Sequence, residues 1–484
     1  MHISDIKKYI QCPKLYQLSL CDNSEYFSFY NIDCDLDESI AAKLKIDNYL
    51  SGKVGDSNED TFALIEKSNW IFRARLSYHG LRVKVPYMYV KDGHCVIYFS
   101  SLAVSVNEND ISNMSWTVKV CELNGLVVDA VYVLYLNENY QREEQLDNEL
   151  LWNITDRLIK KDVSIIDECH NDPTDIDGLI ESLLHFDDDY EEIPAVRSSK
   201  CTSKRGCKYY DVCFPLEKQL PPNSILTLVS SANKYKMYQS GIEFLKDADP
   251  NLIEGNRVQY AQISADKNGG LYADKLYLKK WMANNLNLPL SFIDFEWDLY
   301  PIPPYHHMRP LQVLPFQFSL HILDENGLTH HQFIGTGDCR KEMIEKIISL
   351  IPKQGNVVAY NATGAEKFRI NELAEAYPEY SEQLYEINSR MSDMAIPFVN
   401  GFVYDTAMAG NFTLKAIEEM VDSENSYHNL EVGNGIEAVE IYRKMCLTKD
   451  IDTKEEYLNQ LYKYCGLDTY SLYKVYQWLL KITA

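Results

Sequence analysis

The 484-residue chain has few positive charges and no long apolar runs. Its 47 Lys and Arg residues face 71 Asp and Glu residues, which gives a net charge of −24. Because phosphate contacts need Lys and Arg, this balance disfavours nucleic-acid binding except at a local site. The longest apolar runs, such as "AVYVLYL", are far too short to span a bilayer. The opening "MHISDIKKYIQCPKLYQL" lacks the apolar core of a signal peptide, so we expect a soluble cytoplasmic protein without a membrane partner.

Several motifs that mark common enzyme classes are also missing. The sequence contains neither a phosphate-binding G-x-x-x-x-G-K-[ST] loop nor a G-x-S-x-G nucleophile elbow. The letters "GNGIEA" match a dinucleotide loop, but they follow a poor strand and precede no βαβ unit. The hydrophobic fraction of 46% is that of an ordinary globular protein. The composition therefore predicts sizeable hydrophobic cores. The motifs do not indicate a nucleotide-binding or esterase function.

Strand and helix patterns divide the chain into three segments. Residues 1–220 open with a helical pattern and continue with strand-like runs, among them "LRVKVPYMYV" and "CVIYFSSLAVSV", which the turn signal "KDG" joins. Residues 221–287 are mostly helical and are predicted to be a connector. Residues 288–484 mix strands such as "LPLSFIDFEW" and "GNVVAYN" with helices, the last running through "YKYCGLDTYSLYKVYQWLLKI". The alternation predicts a mixed α/β fold.

Two carboxylates lie one residue apart in the strand-like "LPLSFIDFEW". Asp294 and Glu296 share a face of such a strand, and paired hard oxygen ligands suit Mg²⁺ or Mn²⁺. Further acids are Glu366, near the start of a helix, and Asp468 on the last helix, with Tyr464 one turn before it. Four acidic ligands can hold two ions that activate a water against a phosphodiester, and Tyr464 would orient that water. Singly, each element is more often a solvated strand edge or a surface pair.

Three stretches carry a family resemblance: "FIDFEWDLYPIPPYHHMRPLQVLPFQFSLHIL", "VVAYNATGAEKFRINELAEAYPEY" and "YCGLDTYSLYKVYQWL". They resemble the DnaQ-like (DEDD) 3′–5′ exonuclease domain of DUF2779 proteins, which implies an RNase H-like fold for residues 288–484. The resemblance implies Asp294 and Glu296 as the first motif and Glu366 as the second. It implies Tyr464 and Asp468 as the third motif, in its tyrosine variant. One departure is that the acid of the second motif follows Asn361 by five residues instead of the usual four.

Four of the twelve cysteines form a pattern of their own. Cys201, Cys207 and Cys213 follow one another at intervals of six, and Cys12 in "YIQCPKLY" is the candidate for a fourth ligand. A Zn²⁺ site also takes four thiolates. Zinc sites more typically use Cys-x-x-Cys knuckles, which are absent here, whereas iron–sulfur clusters tolerate wider spacing.

The distant pairing of "CPKLY" with a three-cysteine cluster resembles Cas4/RecB-like nucleases, whose ends are joined by a [4Fe-4S] cluster. That resemblance implies a PD-(D/E)XK-like domain at residues 1–220, with Cys12, Cys201, Cys207 and Cys213 as cluster ligands. Such a domain carries an Asp on one strand and Glu-x-Lys on the next. The corresponding strands "LRVKVPYMYV" and "CVIYFSSLAV" contain none of these acids, so we expect a catalytically degenerate domain.

Two functions follow as expectations. The first is a metal-dependent 3′–5′ exonuclease acting on single-stranded DNA or RNA; nothing in the sequence identifies a 2′-hydroxyl reader. The second is a catalytically silent nucleic-acid-binding or scaffold subunit, with protein partners in a DNA repair or anti-phage/CRISPR-type complex. The net charge and the missing acids of the N-terminal segment favour the second function.

Overall fold

A computed structural model describes residues 1–22, 27–106, 108–158, 161–186, 193–201, 207–215, 220–422 and 430–484. The chain divides into two compact units. The first unit comprises Met1–Lys218 with Leu299–Gln312, and the second comprises Gln219–Asp298 with Val313–Ala484. Both units combine helices with strands, which confirms the predicted mixed α/β class. No helix in the described ranges is long and apolar enough to cross a bilayer.

A six-stranded sheet forms the centre of the first unit. Its strands, in the order in which they pair, are β1 (Leu50–Ser51), β2 (Trp70–Tyr78), β3 (Leu81–Lys91), β4 (His94–Ser101), β5 (Val127–Leu136) and β6 (Trp152–Thr155). β1 pairs with β2 in parallel, as β4 does with β5, and the other neighbours are antiparallel. The predicted turn between β3 and β4 is confirmed: Asp92 and Gly93 have φ angles of 53° and 82°, as a two-residue hairpin turn requires.

Helices cover both faces of this sheet. They are α1 (Ile3–Gln11), α2 (Pro13–Leu20), α3 (Leu36–Leu44), α4 (Asn58–Ile65), α5 (Ile111–Leu123), α6 (Asn148–Leu151), α7 (Ile165–His170), α8 (Ile176–Phe186) and α9 (Tyr210–Cys213); β7 (Arg157–Leu158) and β8 (Val163–Ser164) form a separate pair. Ile71 of β2 packs in a cluster with Ile6 of α1 and Val118 of α5, whereas the next residue, Phe72, packs in another with Ile40 of α3. Alternate side chains of β2 therefore enter different cores.

The helical pattern at the start of residues 1–220 corresponds to two helices, α1 and α2. Cys12 separates them in an extended conformation, with φ −168° and ψ 118°. Pro13 explains the break, since the ring of a proline disfavours a helical conformation in the residue before it. The break leaves the Cys12 side chain at the junction of two helices.

A five-stranded sheet forms the centre of the second unit, in the order β12-β11-β10-β13-β14. The strands of this unit are β9 (Leu271–Ala273), β10 (Leu290–Tyr300), β11 (Gln312–Asp324), β12 (Gly327–Ile334), β13 (Asn356–Ala359), β14 (Met391–Asp393) and β15 (Val403–Asp405). β10, β13 and β14 are parallel, whereas β11 and β12 are antiparallel to each other. β9 and β15 form a separate antiparallel pair.

Between β12 and β15, one or two helices separate each strand of the second unit from the next. The helices of this unit are α10 (Lys234–Gln239), α11 (Arg257–Lys267), α12 (Lys275–Asn285), α13 (Arg340–Leu350), α14 (Glu366–Ala376), α15 (Ser381–Ser389), α16 (Ile396–Val399), α17 (Leu414–Val421), α18 (Gly435–Leu447) and α19 (Ile451–Thr483). Short 3₁₀ turns occur in both units, at Glu108–Asp110, Ser199–Cys201, Ile225–Thr227, Leu245–Asp247, Pro378–Tyr380 and Thr406–Met408. The segment predicted as a connector, 221–287, contains α10 to α12 and β9.

Strand β10 and helix α19 form the part of the second unit that carries the site. Phe292 of β10 packs with Leu472 of α19 in one apolar core, whereas Phe295 belongs to a second core. β10 lies between β11 and β13, so both of its edges are paired, and the two cores cover its two faces. Because alternate residues of a strand share a face, Asp294 and Glu296 lie on the same side as Phe292, the side that faces α19.

Candidate metal centre

Strand β10 presents three acidic residues on the side that faces α19. Asp298 is fully buried, and its carboxylate accepts hydrogen bonds from Nε and Nη2 of Arg443 on α18, at 2.9 and 2.5 Å. The protein itself therefore neutralises Asp298, which leaves Asp294 and Glu296 as the candidate ligands on this strand. Glu296 is buried and Asp294 is partly buried. The sequence-predicted pair thus lies side by side in the interior.

Glu366 is the first residue of α14 and is 3% exposed. β13 precedes it and runs parallel to β10, so the carboxyl ends of the two strands meet at one edge of the sheet. The loop between β13 and α14 is held by Asp393, at the end of β14. Its Oδ1 atom accepts hydrogen bonds from the backbone N–H groups of Asn361, at 2.8 Å, and Ala395, at 2.9 Å. This loop fixes the start of α14, and with it Glu366.

Helix α19 supplies the remaining predicted residues, Tyr464 and Asp468, which are both buried. They are four residues apart and therefore lie one above the other on the helix. Cys465, between them in sequence, is fully buried. Its Sγ atom lies 3.6 Å from Oδ2 of Asp294 and 3.8 Å from the Asp294 carbonyl oxygen. These contacts bring α19 directly against the acidic end of β10.

Burial and mutual repulsion raise the pKa of the clustered carboxyl groups. For Asp294 burial is the largest cause, followed by the charges of Asp468, Glu296 and Glu366. The pKa of Glu296 is raised by burial and then by Asp468. Burial is also the main reason why the pKa of Glu366 rises to about 8. The four predicted acids are therefore close enough for their charges to oppose one another.

Two further groups of the site, the Tyr464 hydroxyl and the Cys465 thiol, keep their protons. Burial raises the pKa of the Tyr464 hydroxyl, and the charge of Asp468 raises it further. Burial likewise raises the pKa of the Cys465 thiol, followed by the charge of Asp294. Both groups can therefore donate hydrogen bonds in the metal-free protein.

Three residues near the site were missed by the sequence reasoning. Cys465 lies three residues before Asp468, and that helical spacing could have identified it. Lys415 of α17 lies with Nζ 5.0 Å from the ring centroid of Tyr464 and donates a hydrogen bond to the Gly433 carbonyl. Glu418, one turn further along α17, is buried, and burial raises its pKa to about 7. No local pattern places α17 beside α19, so sequence gave no signal for Lys415 or Glu418.

The donor set fits a divalent cation. The ligand atoms of Asp294, Glu296 and Cys465 all lie within 4.8 Å of one another. Within the described residues, Oε2 of Glu366 is buried and accepts no hydrogen bond. A buried oxygen without a partner costs about 1–3 kcal/mol, and more when it is charged. A cation bound there would supply both a partner for this oxygen and the positive charge that the carboxylates need, and carboxylate oxygens suit Mg²⁺ or Mn²⁺.

A buried polar network anchors α19 next to Asp468. The Oγ1 atom of Thr469 lies 2.7 Å from Oγ of Ser319 and 2.8 Å from Nδ1 of His321, both on β11. Ser319 also contacts Nε2 of His330 on β12, at 2.9 Å. The rings of His321 and His330 are stacked at 3.9 Å, and burial, followed by the charge of His330, lowers the pKa of His321 to about 3. Neutral histidines therefore take part in the network at neutral pH.

The four cysteines predicted to bind a cluster line one pocket of the first unit. Cys12 lies at the break between α1 and α2, and Cys213 ends α9. The backbone N–H of Cys207 donates to the carbonyl of Cys201 at 3.2 Å. Burial raises the pKa of the Cys213 thiol, and the charges of the other three cysteines raise it further. The structure therefore brings these distant residues together.

The spacing of these sulfur atoms bears on the choice of metal. Four thiolates at about 2.3 Å from a tetrahedral zinc ion would lie about 3.8 Å from one another. Among the described residues, no three of the sulfur atoms lie within 4.8 Å of one another. These side chains are therefore not arranged as a tetrahedral zinc site in the described structure. Residues 202–206, between Cys201 and Cys207, lie outside the described residues.

Comparison with known proteins matches one part of the chain. The family model of DUF2779 matches residues 291–413, a range that includes Asp294, Glu296 and Glu366 but ends before Tyr464 and Asp468. No curated protein and no solved structure matches the chain. Residues 291–413 thus form a DUF2779 domain, a domain of unknown function.

Proposed function

We propose that the second unit is a metal-dependent 3′–5′ exonuclease that hydrolyses phosphodiester bonds of single-stranded nucleic acid. The observation that carries this proposal is the buried cluster of four mutually repelling carboxyl groups, Asp294, Glu296, Glu366 and Asp468. Two Mg²⁺ or Mn²⁺ ions bound there would activate a water and stabilise the leaving oxygen. The resemblance to DnaQ-like domains supports the 3′–5′ direction and an RNase H-like fold.

The protein's own groups have separate tasks in this reaction. The carboxylates of β10, α14 and α19 would hold the cations. The Tyr464 hydroxyl keeps its proton because burial and Asp468 raise its pKa, so it donates a hydrogen bond that orients the attacking water. Lys415, whose Nζ lies 5.0 Å from the Tyr464 ring centroid, places a positive charge where a phosphate would approach.

We also propose that Cys12, Cys201, Cys207 and Cys213 hold a [4Fe-4S] cluster, with Zn²⁺ as the alternative. Support comes from the pocket that the four cysteines share and from their sequence spacing, which lacks a Cys-x-x-Cys knuckle. The cluster would tie α1 and α2 to the segment around α9. The purified protein should therefore absorb visible light near 400 nm and contain iron, and Cys213→Ser should lose both; zinc at one equivalent without iron would contradict this assignment.

A second candidate function is supported by the first unit. Strands β2, β3 and β4 contain no Asp or Glu, so the predicted PD-(D/E)XK-like site has no carboxylates there to hold a cation. We infer that this unit binds nucleic acid or a protein partner without cutting. If the second unit were silent too, the whole chain would act as a scaffold in a repair or defence complex of the cytoplasm.

The test uses 5′-labelled single-stranded DNA and RNA with purified protein in Mn²⁺. We expect a ladder that shortens from the 3′ end, on the substrate that the protein uses, and at least about a 100-fold loss of rate in Asp468→Asn, because a lost metal ligand removes several kcal/mol of transition-state stabilisation. Asp452→Asn, an exposed acid of the same helix, is the matched control and should keep the activity. The exonuclease proposal would be overturned if Asp468→Asn shortened the substrate as fast as wild type. It would also be overturned if wild type bound the substrate but did not shorten it.

A further inference from the structure

The proposed reaction assigns no role to one residue of the metal centre, Cys465. Cys465 is fully buried, and its Sγ atom is grouped with the carboxylate oxygens of Asp294 and Glu296 within 4.8 Å. Other buried cysteines of the chain, such as Cys339, lie among apolar side chains. The Cys465 side chain instead lies beside the carboxylates of Asp294 and Glu296, which is an unusual surrounding for a small apolar side chain.

The separation of the sulfur and oxygen atoms is that of two ligands of one ion. A tetrahedral cation with a sulfur at about 2.3 Å and an oxygen at about 2.1 Å holds these two atoms about 3.6 Å apart. Sγ of Cys465 lies 3.6 Å from Oδ2 of Asp294. The same distance also permits a hydrogen bond from the thiol to the carboxylate, so the geometry leaves two roles, ligand and donor.

An independent observation points to a cation at this place. Glu366 is 3% exposed, its Oε2 atom accepts no hydrogen bond from the described residues, and its charge reaches Asp294 and Glu296. A thiol that donated to Asp294 would leave this oxygen unsatisfied, whereas a cation would satisfy it together with the other carboxylates. Two carboxylates and one thiolate within 4.8 Å of one another form a mixed donor set, which is softer than an all-oxygen set.

We propose that Cys465 is a thiolate ligand of the metal centre and that the centre therefore prefers thiophilic divalent cations, such as Zn²⁺, Co²⁺ or Cd²⁺, over Mg²⁺. This inference rests on the metal centre of the proposed function. On binding, the S–H bond breaks, its proton goes to solvent, and a sulfur electron pair forms the bond to the cation, without any change of oxidation state. The metal in the centre, and with it the activity, would respond to the supply of such cations.

The experiment titrates the purified full-length protein with Co²⁺ and follows thiolate-to-cobalt absorption in the near ultraviolet. Wild type should show a band that Cys465→Ser and Asp294→Asn both lose, whereas Cys446→Ser, at an exposed cysteine of the same unit, keeps it. Any absorption from the four-cysteine pocket persists in all these variants and is subtracted. Calorimetry should show Cd²⁺ binding at least about tenfold weaker in Cys465→Ser, with about one proton fewer released and Mg²⁺ affinity within about twofold.

Serine distinguishes the two roles because its hydroxyl can still donate to Asp294 but is a poor ligand for thiophilic cations. If Cys465→Ser leaves the cobalt band, the Cd²⁺ affinity and the proton release unchanged, Cys465 is only a hydrogen-bond donor and the inference is wrong. None of these readouts depends on hydrolysis. A Cys465-dependent band without nuclease activity would reject the exonuclease alone, and Mn²⁺-dependent activity without such a band would reject the thiolate alone.

Discussion

Glu366→Gln tests whether the carboxylate cluster is held together by a cation. The substitution keeps the shape of the side chain and removes its charge. The pKa of Glu366 is raised from 4.5 to about 8, mainly by burial. Between these two values the folded metal-free protein holds a proton that the unfolded chain has lost. Its stability therefore falls as the pH rises from about 4.5 to about 8, and Gln, which does not titrate, escapes this loss.

The size of the effect follows from the pKa difference. A rise from 4.5 to about 8 corresponds to about 5 kcal/mol at pH 8, since one pKa unit is about 1.4 kcal/mol. Water penetration and side-chain relaxation reduce such values, so we expect about 2–4 kcal/mol. For a unit of this size, about 1 kcal/mol shifts Tm by about 2–4 °C. Glu366→Gln should therefore raise the metal-free Tm by about 5–10 °C at pH 8 and leave it nearly unchanged at pH 4.5.

The assay is thermal unfolding of chelator-treated wild type and variant between pH 4.5 and 8.5. Glu375→Gln, at an exposed position of the same helix, is the control and should show no pH-dependent difference from wild type. Added Mn²⁺ should stabilise wild type at pH 8 and stabilise Glu366→Gln less, because one ligand is missing. A Tm difference between Glu366→Gln and wild type that stays constant from pH 4.5 to 8.5 would refute the reasoning.

Three further substitutions test the groups around the cluster. Tyr464→Phe should slow hydrolysis by about 100-fold and leave Mn²⁺ affinity unchanged, because only the water-orienting hydroxyl is lost; an unchanged rate would contradict that role. Arg443→Met should cost about 3–5 kcal/mol in denaturant unfolding, since it removes the cation that is paired with the buried Asp298 carboxylate, and a loss below about 1 kcal/mol would mean that the pair is dispensable. Thr469→Val should cost about 1–3 kcal/mol, since it removes a hydrogen-bond partner of Ser319, and full stability would show that water replaces the hydroxyl.

Part of the site could be predicted because its residues follow local periodicities. The two-residue period of β10 places Asp294 and Glu296 on one face, and the helical period of α19 aligns Tyr464 with Asp468. The break at Cys12 was also readable, since Pro13 follows it. Each of these rules needs only a few neighbouring residues.

The remainder of the site depends on contacts between distant parts of the chain. Cys465 and Asp294 are 171 positions apart in the sequence, and the periodicity of β10 or α19 does not predict that they are in contact. Glu418 could not be predicted for the same reason. In the sequence it is an acid on an amphipathic helix, and it is identified as a buried residue near the site only from the packing of α17 beside α19. The sequence predicts on which face of its own helix or strand a side chain lies. The tertiary fold determines which residues of other elements that side chain contacts.

The net charge of −24 and the proposed nucleic-acid substrate can be reconciled at the site itself. Four carboxylates would contribute −4 there and the proposed Cys465 thiolate −1, while two divalent cations would contribute +4, so the loaded centre would carry about −1, which the charge of the nearby Lys415 offsets. At physiological ionic strength, charges beyond about 8 Å are largely screened, so most of the remaining acids act weakly on a phosphate bound there. The metal-free centre, in contrast, would repel the phosphate. Substrate binding should therefore need the cation as much as hydrolysis does, and it should depend only weakly on salt because few phosphates are contacted.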